Sequence, residues 1–416
     1  MFNLYKEMKG MGWKHGGIFF LTRPVYFIIE PDYVRNVMSR DFQHFVDRGF
    51  YYNEEDDPIS AHLLAIGGQK WRNLRMKLTP TFTSGKMKMM FPTVVECEDG
   101  LEKRIEEESL TNEPINIKEL LARFTTDVIG SCAFGLNCDT FSDENSPFRL
   151  YGQKLLTVSG AEMFKRLIAL NFPDLARSLA LTLTPKDVEK FFTKIVTDTI
   201  NHREKNGVTR KDFMQLLIDL KNNKLAEEDG YKHDGKTLTL EEITAQSVLF
   251  FLAGFETSST TMAFALYELS KHQHIQNQVR HEINTVLGKH DNKITYEAIQ
   301  EMKYMDQVID GECQAIVSSL FYRLFFSETL RKYPPVSFLT RECVRDYKLP
   351  DDDIVIEKGT MVVIPTLGLH YDEDYFPDAE KFDPERFSEE NKNSRHRYVH
   401  LPFGEGPRMC IGTKEV

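Results

Sequence analysis

The sequence predicts a mainly α-helical protein with a small mixed β-sheet, an α+β fold in a single large helical domain. Three observations favour this fold class. Most of the 416 residues lie in segments with apolar side chains three and four positions apart, the spacing of amphipathic helices. Runs rich in strand-forming residues are short and confined to two stretches. No linker-like, repetitive or low-complexity tract divides the chain.

The strand signals lie near the start and in the last quarter of the chain. Residues 17–29 are rich in Ile, Phe, Val and Tyr and are interrupted at Arg23-Pro24, which predicts two strands joined by a turn there. Residues 354–356 and 361–364 flank Lys358-Gly359, which predicts a second hairpin.

The remaining periodic segments predict helices, and the longest is placed at about 239–271. Thr239 with Glu242 three positions later fits a capping box at its start. Residues 248–255 are nearly all apolar, which predicts a helix buried on all sides. The other predicted helices span 32–39, 68–78, 94–108, 117–134, 185–205 and 210–222.

Polar residues in the middle of the long helix favour a function. Ala253-Gly254 would open a groove beside a ligand, while Glu256 and Thr257 would hold water and deliver protons. The alternative is a helix kink, with the threonine bonded to its own backbone and the glutamate reaching solvent.

Composition excludes some classes of function. The formal charge of -11 and the pI of about 5.6 argue against a nucleic-acid binder. Six scattered cysteines indicate neither a disulfide framework nor a zinc site and fit a reducing compartment. No signal peptide and no apolar run of about 20 residues is found, so the sequence as written predicts a soluble polypeptide.

The loop from Phe403 to Gly412 sets Cys410 among three glycines, beside Arg408. Gly404, Gly406 and Gly412 can adopt conformations closed to other residues, so the backbone can curl beneath a flat ligand. This pattern predicts a socket for haem with Cys410 as the thiolate ligand of iron. The alternative is a small buried hydrophobe in a surface turn.

Further motifs accompany this loop. Glu328 and Arg331 are three apart on one helical face, and Arg386 would bind the same carboxylate in a buried network. Trp71 and Arg75 lie one helical turn apart and would present an indole N–H and a guanidinium to carboxylate groups.

In their order along the chain, these motifs resemble the cytochrome P-450 superfamily of haem-thiolate monooxygenases. The resemblance covers nearly the whole chain. Residues 45–53, 70–91 and 251–259 are most similar to the insect microsomal detoxifying members.

The resemblance assigns roles to individual residues. It implies haem b with Cys410 as axial ligand, Phe403 packed on the porphyrin, and Thr257 with Glu256 as the oxygen-activating pair. Glu328, Arg331 and Arg386 would form a structural triad, and Trp71, Arg75, Arg341 and Arg408 would hold the haem propionates. Substrate contacts would come from Phe250, Ala253, Val336, Phe338 and Leu339, for which ordinary core packing is the alternative.

The resemblance also implies a reaction and partners. One atom of O₂ would enter a hydrophobic small molecule, a xenobiotic or an endogenous lipid or hormone, with electrons from NADPH through a flavoprotein reductase. The acid-free basic stretch 67–95 offers Lys70, Arg72 and Lys77 as docking residues for that reductase. The expected location is the cytosolic face of the endoplasmic reticulum membrane. The alternatives are a haem-thiolate isomerase or dehydratase, or an inactive truncated product.

Three departures from the family pattern are expected. Residues 1–416 would form one monooxygenase domain that lacks the amino-terminal membrane anchor and the segment after the cysteine loop. Residues 311–327 would be a non-family insertion that interrupts a helix, as a translated intron would.

Overall fold

The computed structural model describes residues 1–111, 113–143, 145–222, 237–302, 323–388, 391 and 394–413. The strands are β1 (His15–Phe20), β2 (Arg23–Ile28), β3 (Leu339–Glu342), β4 (Tyr347–Lys348), β5 (Val355–Ile356) and β6 (Met361–Ile364). The α-helices are α1 (Phe2–Gly10), α2 (Pro31–Arg35), α3 (Gly68–Leu78), α4 (Ser84–Ser109), α5 (Ile117–Ile129), α6 (Pro147–Leu156), α7 (Gly160–Asn171), α8 (Pro173–Ser178), α9 (Lys186–Asn206), α10 (Phe213–Lys221), α11 (Leu240–Lys271), α12 (Gln273–Leu287), α13 (Tyr296–Glu301), α14 (Arg323–Lys332) and α15 (Thr366–His370).

The chain divides into two compact units. Unit 1 contains Met1–Gly49 and Thr260–Val416, and unit 2 contains Phe50–Ser259. The six strands of the described residues belong to unit 1, whereas the described part of unit 2 is built from helices, turns and loops. The predicted combination of many helices with a small mixed sheet is confirmed.

The main sheet of unit 1 has the strand order β1-β2-β6-β3. The β1–β2 and β3–β6 pairs are antiparallel and the β2–β6 pair is parallel, so the sheet is mixed. The first predicted hairpin is present, but it turns at residues 21–22 rather than at Arg23-Pro24, since Arg23 and Pro24 already pair with β1.

The second predicted hairpin is wrong. β5 pairs with β4 in a separate two-stranded sheet, whereas β6 pairs with β2 and β3. Gly359, with φ +89°, turns the chain between the two sheets, and its N–H donates to the carbonyl of Cys343 at 2.7 Å. Because the Gly359 N–H is bonded to Cys343, it is not available to a hairpin between β5 and β6.

The long helix α11 begins as predicted. The Glu242 N–H donates to the Thr239 hydroxyl at 3.2 Å, and the Thr239 N–H donates to the Glu242 carboxylate at 2.9 Å. By length and composition this helix could span a membrane, but 56% of its apolar window is buried inside the protein, as in the core helix of a globular fold.

The expectation that the middle of α11 is buried on all sides is wrong. Phe251 and Phe255 are fully buried, whereas Ala253 and Thr257 are exposed on one face. Gly254 does not open that face. A Cβ at Gly254 would lie 2.7 Å from Ile129 of α5, so this glycine allows α5 to pack closely on the part of α11 that belongs to unit 2.

The predicted insertion at 311–327 lies mostly outside the described residues, because the structure does not describe 303–322. Its last five residues, 323–327, form the start of α14 and continue helically into Glu328. The insertion stays a prediction.

Candidate functional site

The cysteine loop of unit 1 is a chain of tight turns. Gly404 and Gly406 have φ values of +75° and +73°, as predicted from their position, whereas Gly412 does not use the left-handed region. The Cys410 N–H donates to the Phe403 carbonyl at 3.0 Å, which closes the loop. Cys410 is exposed, so it is not a buried hydrophobe and its sulfur is open to a ligand.

Gly406 fits the loop against a neighbouring helical turn. A Cβ at Gly406 would lie 2.0 Å from the carbonyl oxygen of Met38, whereas a Cβ at Gly404 would meet nothing closer than 3.6 Å. Both glycines therefore have a left-handed backbone conformation, but only Gly404 has room for a Cβ.

We expect Gly406→Ala to destabilise unit 1 by more than Gly404→Ala. Each variant costs about 1–2 kcal/mol for its left-handed alanine, but Gly406→Ala must also displace backbone. The free energies of unfolding from urea titration measure the difference. Equal destabilisation by the two substitutions would show that the approach to Met38 does not constrain the loop.

Three arginines of unit 1 lie close together behind this loop. Arg48 donates to the Arg408 carbonyl at 2.9 Å, and Arg408 donates through Nε to the Val46 carbonyl at 2.8 Å. Arg341 is 1% exposed, and its Nε finds no acceptor within the described residues. Burial, together with the positive charges of Arg48 and Arg408, holds the pKa of Arg341 far below its ordinary value. Arg408 Nη2 lies 3.8 Å from the Asp47 carboxylate, whereas Arg341 has no carboxylate partner among the described residues. The buried guanidinium of Arg341 therefore calls for an anionic group.

The Glu-x-x-Arg pair forms a buried network in the same unit. Arg331 donates from Nε and Nη2 to the two oxygens of Glu328 at 2.6 and 2.7 Å, with both side chains at 0% exposure. The Asp383 N–H donates to Glu328 at 3.0 Å, and Arg386 Nε lies 3.6 Å from the same carboxylate. The three residues named from the sequence are therefore in contact.

Unit 2 carries the other predicted cofactor residues on α3. Trp71 is buried and Arg75 is half-buried, one turn apart. Lys77, named as a docking residue, is only 8% exposed and is therefore not a surface cation. Lys70 is exposed but its ammonium lies 2.6 Å from the Glu54 carboxylate, which offsets its charge, and Arg72 is exposed.

Glu256 and Thr257, the polar pair of α11, are held by contacts within unit 2. Thr257 is exposed and donates to the Ala253 carbonyl at 2.6 Å. This is the bond to its own helix backbone that the sequence analysis gave as an alternative. Lys118 of α5 donates to the Glu256 carboxylate at 3.1 Å and to the Ser259 hydroxyl at 2.7 Å. Glu256 is thus held by an ammonium group and remains partly exposed.

The predicted substrate residues lie in different surroundings. Phe250 packs in an aromatic cluster of unit 2, with ring centroids 5.2 Å from Phe82 and 4.4 Å from Phe213. It therefore follows the core-packing alternative. In unit 1, Leu339 is buried in β3, whereas Val336 and Phe338 are exposed. Ala253 is exposed on α11.

Comparison with protein families matches residues 1–414 to the family described as "Cytochrome P450". The chain belongs to the cytochrome P450 family. It is 47% identical over 401 residues to "Probable cytochrome P450 6a23" of Drosophila melanogaster, which covers 96% of this chain and 75% of that protein. It is 43% identical over 418 residues to "Cytochrome P450 6a2" of the same species, covering 99% and 79%.

Family membership implies a haem-dependent monooxygenase with a cysteine thiolate ligand, and in general a reductase, O₂ and hydrophobic substrates as partners. The residues of unit 1 fit that cofactor. Cys410 is exposed in a tight loop, and the Nε of buried Arg341, which has no acceptor in the described part of the chain, is a donor suited to a haem carboxylate.

Arg48 and Lys118 were not predicted from the sequence. Arg48 lies in the segment 45–53, which already resembled the family, so it could have been proposed beside Arg341 and Arg408. Lys118 gave no signal in the sequence, because its partner Glu256 is 138 residues away and the pairing requires α5 to pack on α11.

Arg341→Met is expected to have opposite effects on the haem-free and haem-bound protein. Without haem, removing a buried charge that has no anionic partner among the described residues should raise the free energy of unfolding by about 1–3 kcal/mol. With haem, losing a donor to the propionates should weaken haem binding. Urea unfolding and haem titration measure the two effects. Lower haem-free stability in Arg341→Met would contradict this assignment, and Lys348→Met, at an exposed surface position, is the control.

Proposed function

We propose that this cytochrome P450 inserts one atom of O₂ into a hydrophobic small molecule, a xenobiotic or an endogenous lipid or hormone. The other atom leaves as water, and the electrons come from NADPH through a flavoprotein reductase. The observation that carries the proposal is the exposed Cys410 in the unit that also holds buried Arg341, whose Nε has no acceptor among the described residues, because together they suit haem b.

Each residue has a defined task in this proposal. Cys410 would bind the iron and Phe403 would shield the sulfur. Arg48, Arg341 and Arg408 would bind the propionates, and the family resemblance assigns Trp71 and Arg75 the same role. The bound haem would supply the activation of O₂. Glu328, Arg331 and Arg386 keep the segment that precedes the cysteine loop in place. Ala253, Val336, Phe338 and Leu339 would contact the substrate.

Proton delivery is the task of α11. Glu256 is partly exposed and can exchange protons with water, while the Lys118 ammonium and Ser259 fix its position. Thr257, exposed on the same helix, can release the Ala253 carbonyl and turn its hydroxyl toward a bound water.

The competing function is a haem-thiolate isomerase or dehydratase that consumes no O₂. The paired Glu256 and Lys118 favour the monooxygenase, because rearrangement of a peroxide needs no delivered protons. For the location we propose the cytosolic face of the endoplasmic reticulum membrane, as the resemblance to microsomal members of the family implies.

The experiment combines haem-loaded protein, an NADPH-dependent reductase and an apolar test compound. A monooxygenase consumes NADPH and O₂ in step with hydroxylated product, and its reduced carbon monoxide complex shows the absorbance of a thiolate-bound iron. Conversion of an organic hydroperoxide without NADPH or O₂ would instead identify the isomerase. Absence of the thiolate spectrum would leave an inactive product and contradict the proposal.

A further inference from the structure

The carboxyl end of α14 lacks backbone N–H donors that a continuing helix would supply. In a regular helix the N–H groups of residues 334 and 335 would approach the carbonyls of Leu330 and Arg331, but both positions are proline and carry no N–H. Leu330 and Arg331 lie two and three residues after Glu328. The hydrogen bonds to their carbonyls therefore affect the position of the buried Glu328–Arg331 pair.

Side chains from the end of α15 bind two carbonyls at this helix end, including that of Arg331. The ring of His370 contacts the Arg331 carbonyl through Nδ1 at 3.1 Å, and the Tyr371 hydroxyl donates to the Lys332 carbonyl at 3.1 Å. In return, Arg331 donates from Nη1 to the His370 carbonyl at 2.8 Å. The helix end and His370 are therefore joined in both directions.

The other ring nitrogen of His370 holds a second segment. The Leu401 N–H donates to His370 Nε2 at 2.9 Å. Since an amide N–H can only donate, Nε2 is the acceptor and Nδ1 carries the proton that goes to Arg331. His370 is 0% exposed, and burial with the nearby Arg331 charge lowers its pKa to about 3, which keeps the ring neutral.

Leu401 opens the cysteine loop. Its carbonyl accepts the Gly404 N–H at 3.2 Å, and the Phe403 carbonyl two residues after it accepts the Cys410 N–H at 3.0 Å. A continuous set of bonds therefore runs from the carbonyl of Arg331 through the His370 ring to the turn that presents Cys410.

We propose that His370 is a positioning residue for the haem-thiolate ligand. Its ring ties the end of α14 to the start of the cysteine loop and so would hold Cys410 in position to bind the iron. This inference rests on the proposed function for its catalytic meaning, but the bonds themselves can be tested without haem.

Two substitutions separate the two bonds of the ring. In His370→Asn the amide nitrogen can still donate to the Arg331 carbonyl, while the acceptor for Leu401 is lost. In His370→Gln the longer side chain can place its oxygen near the Leu401 N–H, while the donor to Arg331 is lost. Ile356→Ala, a buried truncation in the two-stranded sheet, is the control for general destabilisation.

Hydrogen exchange of the Leu401 amide in the haem-free protein is the first measurement. Loss of one hydrogen bond is expected to speed this exchange roughly fivefold in His370→Asn, with wild-type protection in His370→Gln and Ile356→Ala. The second measurement is the reduced carbon monoxide spectrum. His370→Asn should shift part of the absorbance from the thiolate-bound to the thiol-bound form, and His370→Gln should not.

The outcomes are distinct. Unchanged Leu401 exchange in His370→Asn, or equal spectral loss in all three variants, would overturn the positioning role. If wild-type protein itself gives no thiolate spectrum while Leu401 exchange still responds to His370→Asn, the bond network stands, but the proposed function and the catalytic meaning of His370 are both overturned.

Discussion

Replacing Cys410 with serine is expected to abolish thiolate ligation and with it the oxidation of apolar compounds. Serine keeps the size of the side chain and the turns set by Gly404 and Gly406, so the loop should keep its shape. Its hydroxyl does not ionise near neutral pH and cannot donate electron density to iron as a thiolate does. The reduced carbon monoxide spectrum and the oxidation of an apolar test compound measure the loss.

Cys97→Ser is the matched control. Burial raises the pKa of the Cys97 thiol to about 11, so this cysteine stays protonated in α4 and is no rival ligand. The control should keep the thiolate spectrum. If Cys410→Ser kept both the spectrum and the oxidation, Cys410 would not be the iron ligand, and the proposed function would lose its central residue.

Local sequence predicted the helices better than the sheets. The bounds 68–78 of α3 and the capping box of Thr239 depend on neighbours within four residues, and both predictions are confirmed. The predicted hairpin around Gly359 failed because β6 pairs in parallel with β2, more than 300 residues earlier, and such pairing leaves no trace in the intervening turn.

The same limit applies to the site. Glu328, Arg331 and Arg386 could be named because two of them share a helical turn and the third lies in a recognisable motif. Phe250 was named as a substrate contact, yet an apolar residue on a helix has the same pattern whether it faces a ligand or Phe213. Lys118 and His370 could not be named, since their partners are distant in sequence.

Glu328→Ala is expected to destabilise the protein by about 3–5 kcal/mol, because it leaves the Arg331 guanidinium buried without its carboxylate. Arg331 would keep its bonds to the carbonyls of His370 and Ala379, each at 2.8 Å, but carbonyl oxygens do not neutralise its charge. Urea unfolding measures the change. Asp353→Ala, in an exposed ion pair with Lys348, is the control and should change stability by less than about 0.5 kcal/mol.

A double variant tests whether the uncompensated charge is the cause. Glu328→Leu combined with Arg331→Met removes both charges and fills the space, so its destabilisation should be smaller than the sum of the two single changes. Part of the loss should remain, because the carbonyls of His370 and Ala379 lose the donors of Arg331. If the single effects simply add, the pair contributes packing alone. If the double variant is as stable as wild type but binds haem poorly, the pair serves to position the segment around the cysteine loop rather than to hold the fold together.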